Sequence, residues 1–572
     1  MFEAIAPTDP IAPRKQDPSP IVDGSEIVFA MVAAVGVNLK LAEDALVERL
    51  KDYGYHHEYI KITEHVIPKL FKSSRGKKAE SDFERINRMM DLGDEARREI
   101  SKNILAKGAA AEIALRRKTA RKPNQRTAYI IHSLKHPEEV RELREIYPRG
   151  FHLIGVHAHP DFRRKHLMQV RRMTEDEAEE LMQRDKKAGE KHGQQLVDTF
   201  HLADFFVGWG GDDSTETAQT TLDLGAEVAG ASVAGYTVDK ARVAAAIQRY
   251  VDLVFGHIYR TPTFGEHAMF MAFTASLRSA DLSRQVGAVV ARDGEILANG
   301  SNDSPAAQGG LYWPYVDPES HQILDVENGR DFKRGFDSNR HEQDLLIKGI
   351  CDDFRAALEK PENPDAVSFQ ELQASGDARI AKATEEIHAI LNKTLDKGGI
   401  RNLTEYGRVV HAEMESILSC TRQGKSTKGA TIYCTTFPCH NCAKHIIASG
   451  IARVVFIEPY LKSKALDFHK DSIVIHYPQD KSGEDDAVNF PARPRVKFEP
   501  FFGVGPRRYL DLFSLSLGVG RPLERKDSTG KTIPWDEANA KPRLQMHEVS
   551  YLDLEATAQS SFASAVARLS KK

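Results

Sequence analysis

Cysteine is scarce: five residues in a chain of 572, and all of them, Cys351, Cys420, Cys434, Cys439 and Cys442, fall in the C-terminal half. An odd, clustered set in so long a chain does not build the disulfide framework of a small secreted domain, and it fits a reduced compartment. Charge of one sign is also lacking. The formal net charge is −3, which removes bulk attraction to nucleic acid while leaving room for a local basic groove. No apolar run approaches the ~20 residues needed to span a bilayer, so no membrane partner is expected. The opening MFEAIAPTDPIAPRKQDPSP carries charges and prolines where a signal peptide needs an apolar stretch. Residues 1–25 are expected to be a disordered lead-in, and the protein is expected to be cytoplasmic.

What is present is an ordinary globular composition, 41% hydrophobic and 28% charged, in a chain too long for one core. EIVFAMVAAVG (Glu26 to Gly36) is a continuous apolar run ending in glycine, which suits a strand buried on both faces of a parallel sheet. The following NLKLAEDALVERLKDYG places Leu41, Ala45, Val47 and Leu50 at helical spacing, with Gly54 as a stop. Strand, glycine turn and helix open a nucleotide-binding α/β unit. TAYIIHSL, FHLIGVHA and Ala203 to Val207 read as further strands, and the charged stretch 163–200 as helical. A phosphate-binding loop needs several glycines, a lysine and a Ser or Thr. The turn AAVGVNLKL offers Gly36 alone, with no lysine directly after it and no hydroxyl for magnesium. The working parts of kinase chemistry are therefore missing from this half.

The second half begins near Thr261. EHAMFMAFTASLRSADLS reads as a helix with a wide apolar face, and QVGAVVARDGEILANG as a hairpin turning at Asp293-Gly294. From about 311 to 408 the sequence is polar and mostly helical where patterned, which marks an insertion. HAEMESILSC, ATIYCTTF, CAKHIIASG and RVVFIEPY then alternate helix and strand, implying parallel pairing. The last fifty residues are polar, with a late helical pattern through Phe562, Val566 and Leu569.

Chemistry concentrates in His411-Ala412-Glu413 and Pro438-Cys439-His440-Asn441-Cys442. Imidazole nitrogen and thiolate sulfur suit zinc, and three protein ligands leave one position open, as in catalytic sites. Cys-x-x-Cys at a helix start puts two sulfurs on one side, where the exposed N–H groups favour thiolate. The order His-x-Glu then Pro-Cys-x-x-Cys matches the established signature of zinc nucleobase deaminases, in which the glutamate moves protons and is not a ligand. Half of a structural zinc site, with Cys434 or His440 as further ligands, or a redox pair would each explain the cysteines. Neither explains Glu413. Cys351, Cys420 and Cys434 read as buried small apolar residues.

With SLRSADLSRQVGAVVARDGEILANGSND, HAEMESIL and TTFPCHNCAKHIIASGIARVVFIEPY, residues 266–470 resemble the deoxycytidylate deaminase family of the cytidine deaminase fold. With GLYWP, GRDFKRGFDSN and EPYLKSKALDFHKDSI, the whole chain resembles the bacterial anti-phage deoxycytidylate deaminases. That resemblance implies an α/β architecture in two parts. A degenerate P-loop kinase-like parallel-sheet domain spans 26–257. A cytidine deaminase-fold α/β/α domain over 261–520 carries the insertion, and a tail covers 521–572. It implies zinc on His411, Cys439 and Cys442, and Glu413 as the catalytic proton shuttle. It implies deamination of dCTP or dCMP to the uracil form with release of ammonia, as antiviral defence. Substrate contacts would fall to Asn302, Ala412, Tyr460, Arg278, Arg284 and Lys462, with Lys464 a further phosphate candidate. Gly36 marks the degenerate nucleotide loop. Expected partners are the deoxycytidine nucleotide, a regulatory RNA or nucleotide at the N-terminal domain, and further copies of the chain. A housekeeping dCMP deaminase and a polynucleotide editor are the competing readings. The editor needs a basic, aromatic-lined channel that the charge balance does not support.

Overall fold

The computed structural model describes residues 25–71, 80–120, 126–186, 194–209, 240–359, 378–397, 399–403, 405–458, 464–476, 494–546 and 548–570. Nearly all of the expected lead-in lies outside them. The described residues form two compact units, one of 25–262 with 502–570, the other of 263–501. Among the described residues no helix is long and apolar enough to cross a membrane.

In the first unit, strands β1 (Ile27–Ala33), β2 (His56–Lys61), β3 (Thr127–His132), β4 (Phe151–Ala158) and β5 (Phe205–Trp209) run parallel in the order β5-β4-β1-β3-β2. The short strand Gly503–Val504 adds antiparallel to β5. Every residue of β1 is buried, because β3 and β4 flank it and helices cover both faces, which is what its unbroken apolar sequence requires. Ala42, Leu46 and Leu50 of helix Lys40–Asp52 share one core with Val243, Ile247 and Val251 of helix Lys240–Val254.

The expected tail from 521 is corrected: residues 502–570 belong to the first unit. Tyr551, Ala558, Phe562 and Ala565 of helix Glu548–Leu569 are buried. The same helix inserts Glu555 into a buried charge cluster. Arg117 donates to Glu26 at 2.6 Å and to Glu555 at 3.0 Å, while Tyr147 donates to Glu555 at 2.6 Å and Tyr551 to Glu26 at 3.1 Å. Composition alone marks this segment as polar, since Glu555 meets Arg117 and Tyr147, each more than 400 positions away.

The second unit holds β6 (Gly287–Arg292), β7 (Glu295–Ser301), the small hairpin β8 (Tyr315–Val316) and β9 (Ile323–Leu324), and β10 (Thr431–Cys434), β11 (Arg453–Phe456), β12 (Ile473–Ile475) and β13 (Val496–Pro500). Its main sheet is ordered β12-β13-β11-β10-β6-β7, with β10, β11, β12 and β13 parallel and β6 antiparallel to both neighbours. The β6–β7 turn has Asp293 at φ 53° and Gly294 at φ 80°, the conformation that favours Asp-Gly. Two glycines bring helices against this sheet. A Cβ on Gly287 would lie 1.9 Å from the Ala272 carbonyl of helix Phe264–Ser276, and one on Gly300 2.3 Å from the Ala412 carbonyl of helix Ala412–Arg422. Ala288 pairs with Gly300, so Gly287 points to the opposite face, and the two helices cover opposite sides. The insertion is helical at 331–334, 338–359, 378–397 and 399–402, apart from the β8–β9 hairpin.

Two outcomes follow for the first unit. Arg117→Ala would leave Glu26 and Glu555 buried without a counter-charge, and a loss of about 3–5 kcal/mol is expected in denaturant unfolding. Burial pushes His152 and His157 down to about 3, and His136 and His166 down to about 4. These rings stay neutral in the fold but protonate in the unfolded chain near 6.5, so stability is full above that pH and falls as pH drops from about 6.5 toward 4. The denaturation midpoint should begin to fall near pH 6.5, above the range in which carboxylates titrate.

Candidate active site

Two helix starts in the second unit meet at one point. His411 is the N-cap of helix Ala412–Arg422, and Cys439 the N-cap of helix His440–Ala448. Both caps have extended backbone; the Cys439 sulfur accepts from its own helix, whereas the His411 ring makes no cap bond and meets the two sulfurs. His411 Nδ1 lies 3.3 Å from Cys439 Sγ and 3.4 Å from Cys442 Sγ. The Cys442 amide points at Cys439 Sγ from 3.5 Å. All three donor atoms fall within 4.8 Å of one another. Around a tetrahedral zinc with bonds of 2.0–2.3 Å, neighbouring nitrogen and sulfur donors stand roughly 3.5–3.6 Å apart, so the two nitrogen–sulfur separations need open only slightly to admit the ion.

The electrostatics agree with a metal-ligand set. Hydrogen bonding from Cys442, then from His411, pulls the Cys439 thiol down to about 4. The bond to Cys439 lifts His411 to about 9. Burial pushes the Cys442 thiol well up. Without a cation the three groups share protons that a metal must displace. Glu413 is 4% exposed. Burial, reinforced by the Cys439 charge, raises its carboxyl above the ordinary range, so it can hold a proton as well as take one.

His411, Glu413 and Cys439 line a cleft of about 420 Å³, while Cys442 is buried behind them. Ala412, Glu413, Asn302 and Arg284 are among the residues that line it. Asn302 has a second task there. Its Nδ2 donates to the Arg284 carbonyl at 2.8 Å and its Oδ1 accepts from the Val286 amide at 2.7 Å, holding the loop that carries Arg284. Arg278 is not among the lining residues: its guanidinium stacks 3.6 Å from the Trp313 ring centre and donates to the Tyr312 carbonyl at 2.8 Å. Tyr460 and Lys462 lie outside the described residues, and Lys464 sits by the Phe468 ring. Cys351, Cys420 and Cys434 are buried. Phe437 and Thr436 also line the cleft, next to the cysteine motif but without a motif of their own. Asp331, Asp337, Asn339 and Arg401 come from the insertion, where no local pattern distinguishes them from surface charges.

The turn after β1 in the first unit packs closely against Arg163, beside a cavity of about 150 Å³ lined by Val35, Lys135 and Asp185. Gly36 has φ 85°, and a Cβ there would lie 2.8 Å from the Arg163 carbonyl. The Val35 amide donates to the buried Asp185 carboxylate at 2.7 Å, and Lys135 pairs with Asp185 at 3.1 Å. An internal carboxylate takes the amide that a phosphate-binding loop would offer to an anion.

Residues 262–458 match the family model described as the cytidine and deoxycytidylate deaminase zinc-binding region. The deoxycytidylate deaminase of Enterobacteria phage T4 is 30% identical over 195 residues, 34% of this chain and 77% of that protein. That of phage T2 is 29% identical over 194 residues, 34% of this chain and 79% of its own length. Among solved structures, the dCMP deaminase from cyanophage S-TIM5 in apo form matches with 15% identity and a TM-score of 0.19, over 42% of this chain and 99% of that one. The histidine, two thiols and buried glutamate define a hydrolytic zinc deaminase. The chain belongs to the deoxycytidylate deaminase family.

Gly300→Ala tests the packing that builds this site. The new methyl meets backbone, 2.3 Å from the Ala412 carbonyl and 2.4 Å from the Ser416 amide, so the helix must lift. A loss of about 1–3 kcal/mol in unfolding and reduced zinc content by metal analysis are expected, because His411 and Glu413 ride on that helix start.

Proposed function

We propose that the cleft hydrolytically deaminates free deoxycytidine nucleotides, dCTP or dCMP, to dUTP or dUMP. The observation that carries this reading is the buried Glu413, which lines the same cleft as His411 and Cys439, with Cys442 completing the donor cluster beneath them. Zinc held there supplies Lewis acidity that makes water a nucleophile near neutral pH. Glu413 takes a proton from the water, delivers it to ring N3, and passes a second to the exocyclic amine. A C4–O bond forms, the C4–N4 bond breaks, and ammonia leaves. The raised affinity of the buried carboxyl for protons suits this alternation of base and acid. Ala412 would present backbone to the ring, Asn302 would keep its loop in place beside the sugar, and Arg284 would meet phosphate.

Draining dCTP from an infecting phage is the biological setting suggested by the resemblance of the whole chain, and it implies a cytoplasmic enzyme held in check before infection. The first unit would then be a kinase-like scaffold without phosphate chemistry, in keeping with the carboxylate on the Val35 amide. A nucleotide or RNA bound there, or assembly of several copies, would provide the restraint.

The test is ammonia release by Glu413→Gln from dCMP, dCTP, CMP, CTP and a short oligonucleotide. The variant should fold and keep zinc by metal analysis, while turnover falls by at least about 100-fold. Undiminished turnover would overturn the mechanism, and activity on the oligonucleotide alone would overturn the substrate.

A further inference from the structure

The insertion contributes a guanidinium to the catalytic cleft. Arg401 lies on the turn Gly399–Asn402 and lines the cleft together with Asn339 and Arg284. The turn is pinned: Asn339 Nδ2 and Gln343 Nε2 donate to the Leu403 carbonyl at 2.9 and 2.6 Å. The insertion is also fastened to the core of its unit. Ser283 Oγ donates to Asp337 at 3.1 Å, and Arg330 approaches the buried Asp303 at 3.7 Å.

Arg284 and Arg401 differ in what they touch. Among the described residues the Arg284 guanidinium makes no ion pair, while its backbone amide is held by Asp281 at 3.0 Å. Arg401 is largely covered, at 15% exposed, and pairs with Asp344 and Asp396, which are 55% and 49% exposed. Pairs with such solvated carboxylates contribute little, whereas a planar guanidinium binds phosphate oxygens in bidentate fashion. The cleft carboxylates are engaged elsewhere: Asp281 holds the amides of Ser283 and Arg284, and Asp337 that of Arg340. Two arginines on separate segments of one cleft can each meet a different phosphate of one chain.

We propose that Arg401 is a specificity-determining residue that binds the phosphates beyond the first, while Arg284 serves the phosphate next to the sugar. This rests on the reading of the cleft as a deoxycytidine nucleotide site. The insertion would then set how many phosphates the substrate carries.

The experiment uses the full chain and compares kcat/KM for dCMP, dCDP and dCTP by ammonia release. Arg401→Ala should lower the dCTP-to-dCMP ratio by about tenfold or more, the worth of one charge-assisted contact. Arg401→Lys should recover part of that ratio. Asp396→Asn removes an ion-pair partner but leaves the guanidinium, so its ratio should not fall. An equal loss on all three nucleotides in Arg401→Ala, an unchanged ratio, or a fall in Asp396→Asn matching that of Arg401→Ala would overturn the proposal. If the unaltered protein released ammonia from none of the three, the functional reading itself would fail.

Discussion

The catalytic half of this protein depends on a close approach. Helix Ala412–Arg422 sits against β7 at Gly300, where even one methyl would strike its backbone. That contact sets the height of His411 and Glu413 over the sheet, while the loop after β10 brings Cys439 and Cys442 to the same place. Because both ligand-bearing helices start there, Cys442 and His411 hydrogen-bond to Cys439 and, with the Cys442 amide, favour an anionic sulfur. Burial opposes ionisation at both groups; hydrogen bonds outweigh it at Cys439, whereas at Glu413 it pushes the carboxyl toward its protonated form. One packing arrangement thus produces a stable thiolate and a proton-holding acid side by side.

In the first unit a loop amide at the sheet edge is already bound by an internal carboxylate, beside a cavity of about 150 Å³. A parallel sheet presents loop amides at its carboxyl edge, where ligands bind in many α/β proteins. Here Asp185, paired with Lys135, takes the Val35 amide. Elsewhere in the unit, two carboxylates and three tyrosines surround Arg117 and draw in the final helix. Burial works against the Arg117 charge, and Glu555 and Glu26 more than offset it.

The insertion adds a wall of different character to the cleft. The conserved chemistry of a zinc deaminase needs only the ligands and the glutamate, all supplied by the helix–strand core. Selection among nucleotides that share a cytosine must come from groups farther from the ring. Arg401 is such a group, held on a pinned turn.

By itself the sequence determined the buried run of β1, the Asp-Gly hairpin between β6 and β7, and the ligand set with its glutamate. Each is a short-range matter of periodicity, turn conformation or donor spacing. It also pointed to Asn302 and Arg284, which do line the cleft. Tertiary structure decided what depends on partners distant in the chain. Arg278 lies in the same motif as Arg284 but is drawn away by Trp313. Glu555 belongs to the first unit because Arg117 lies 438 positions away in the chain and nowhere else in space. Arg401 reaches the cleft only because its turn is tied to Asn339 and Gln343. Local sequence carries no trace of such contacts, since an isolated charge reads alike whether it meets water, an ion-pair partner or a substrate.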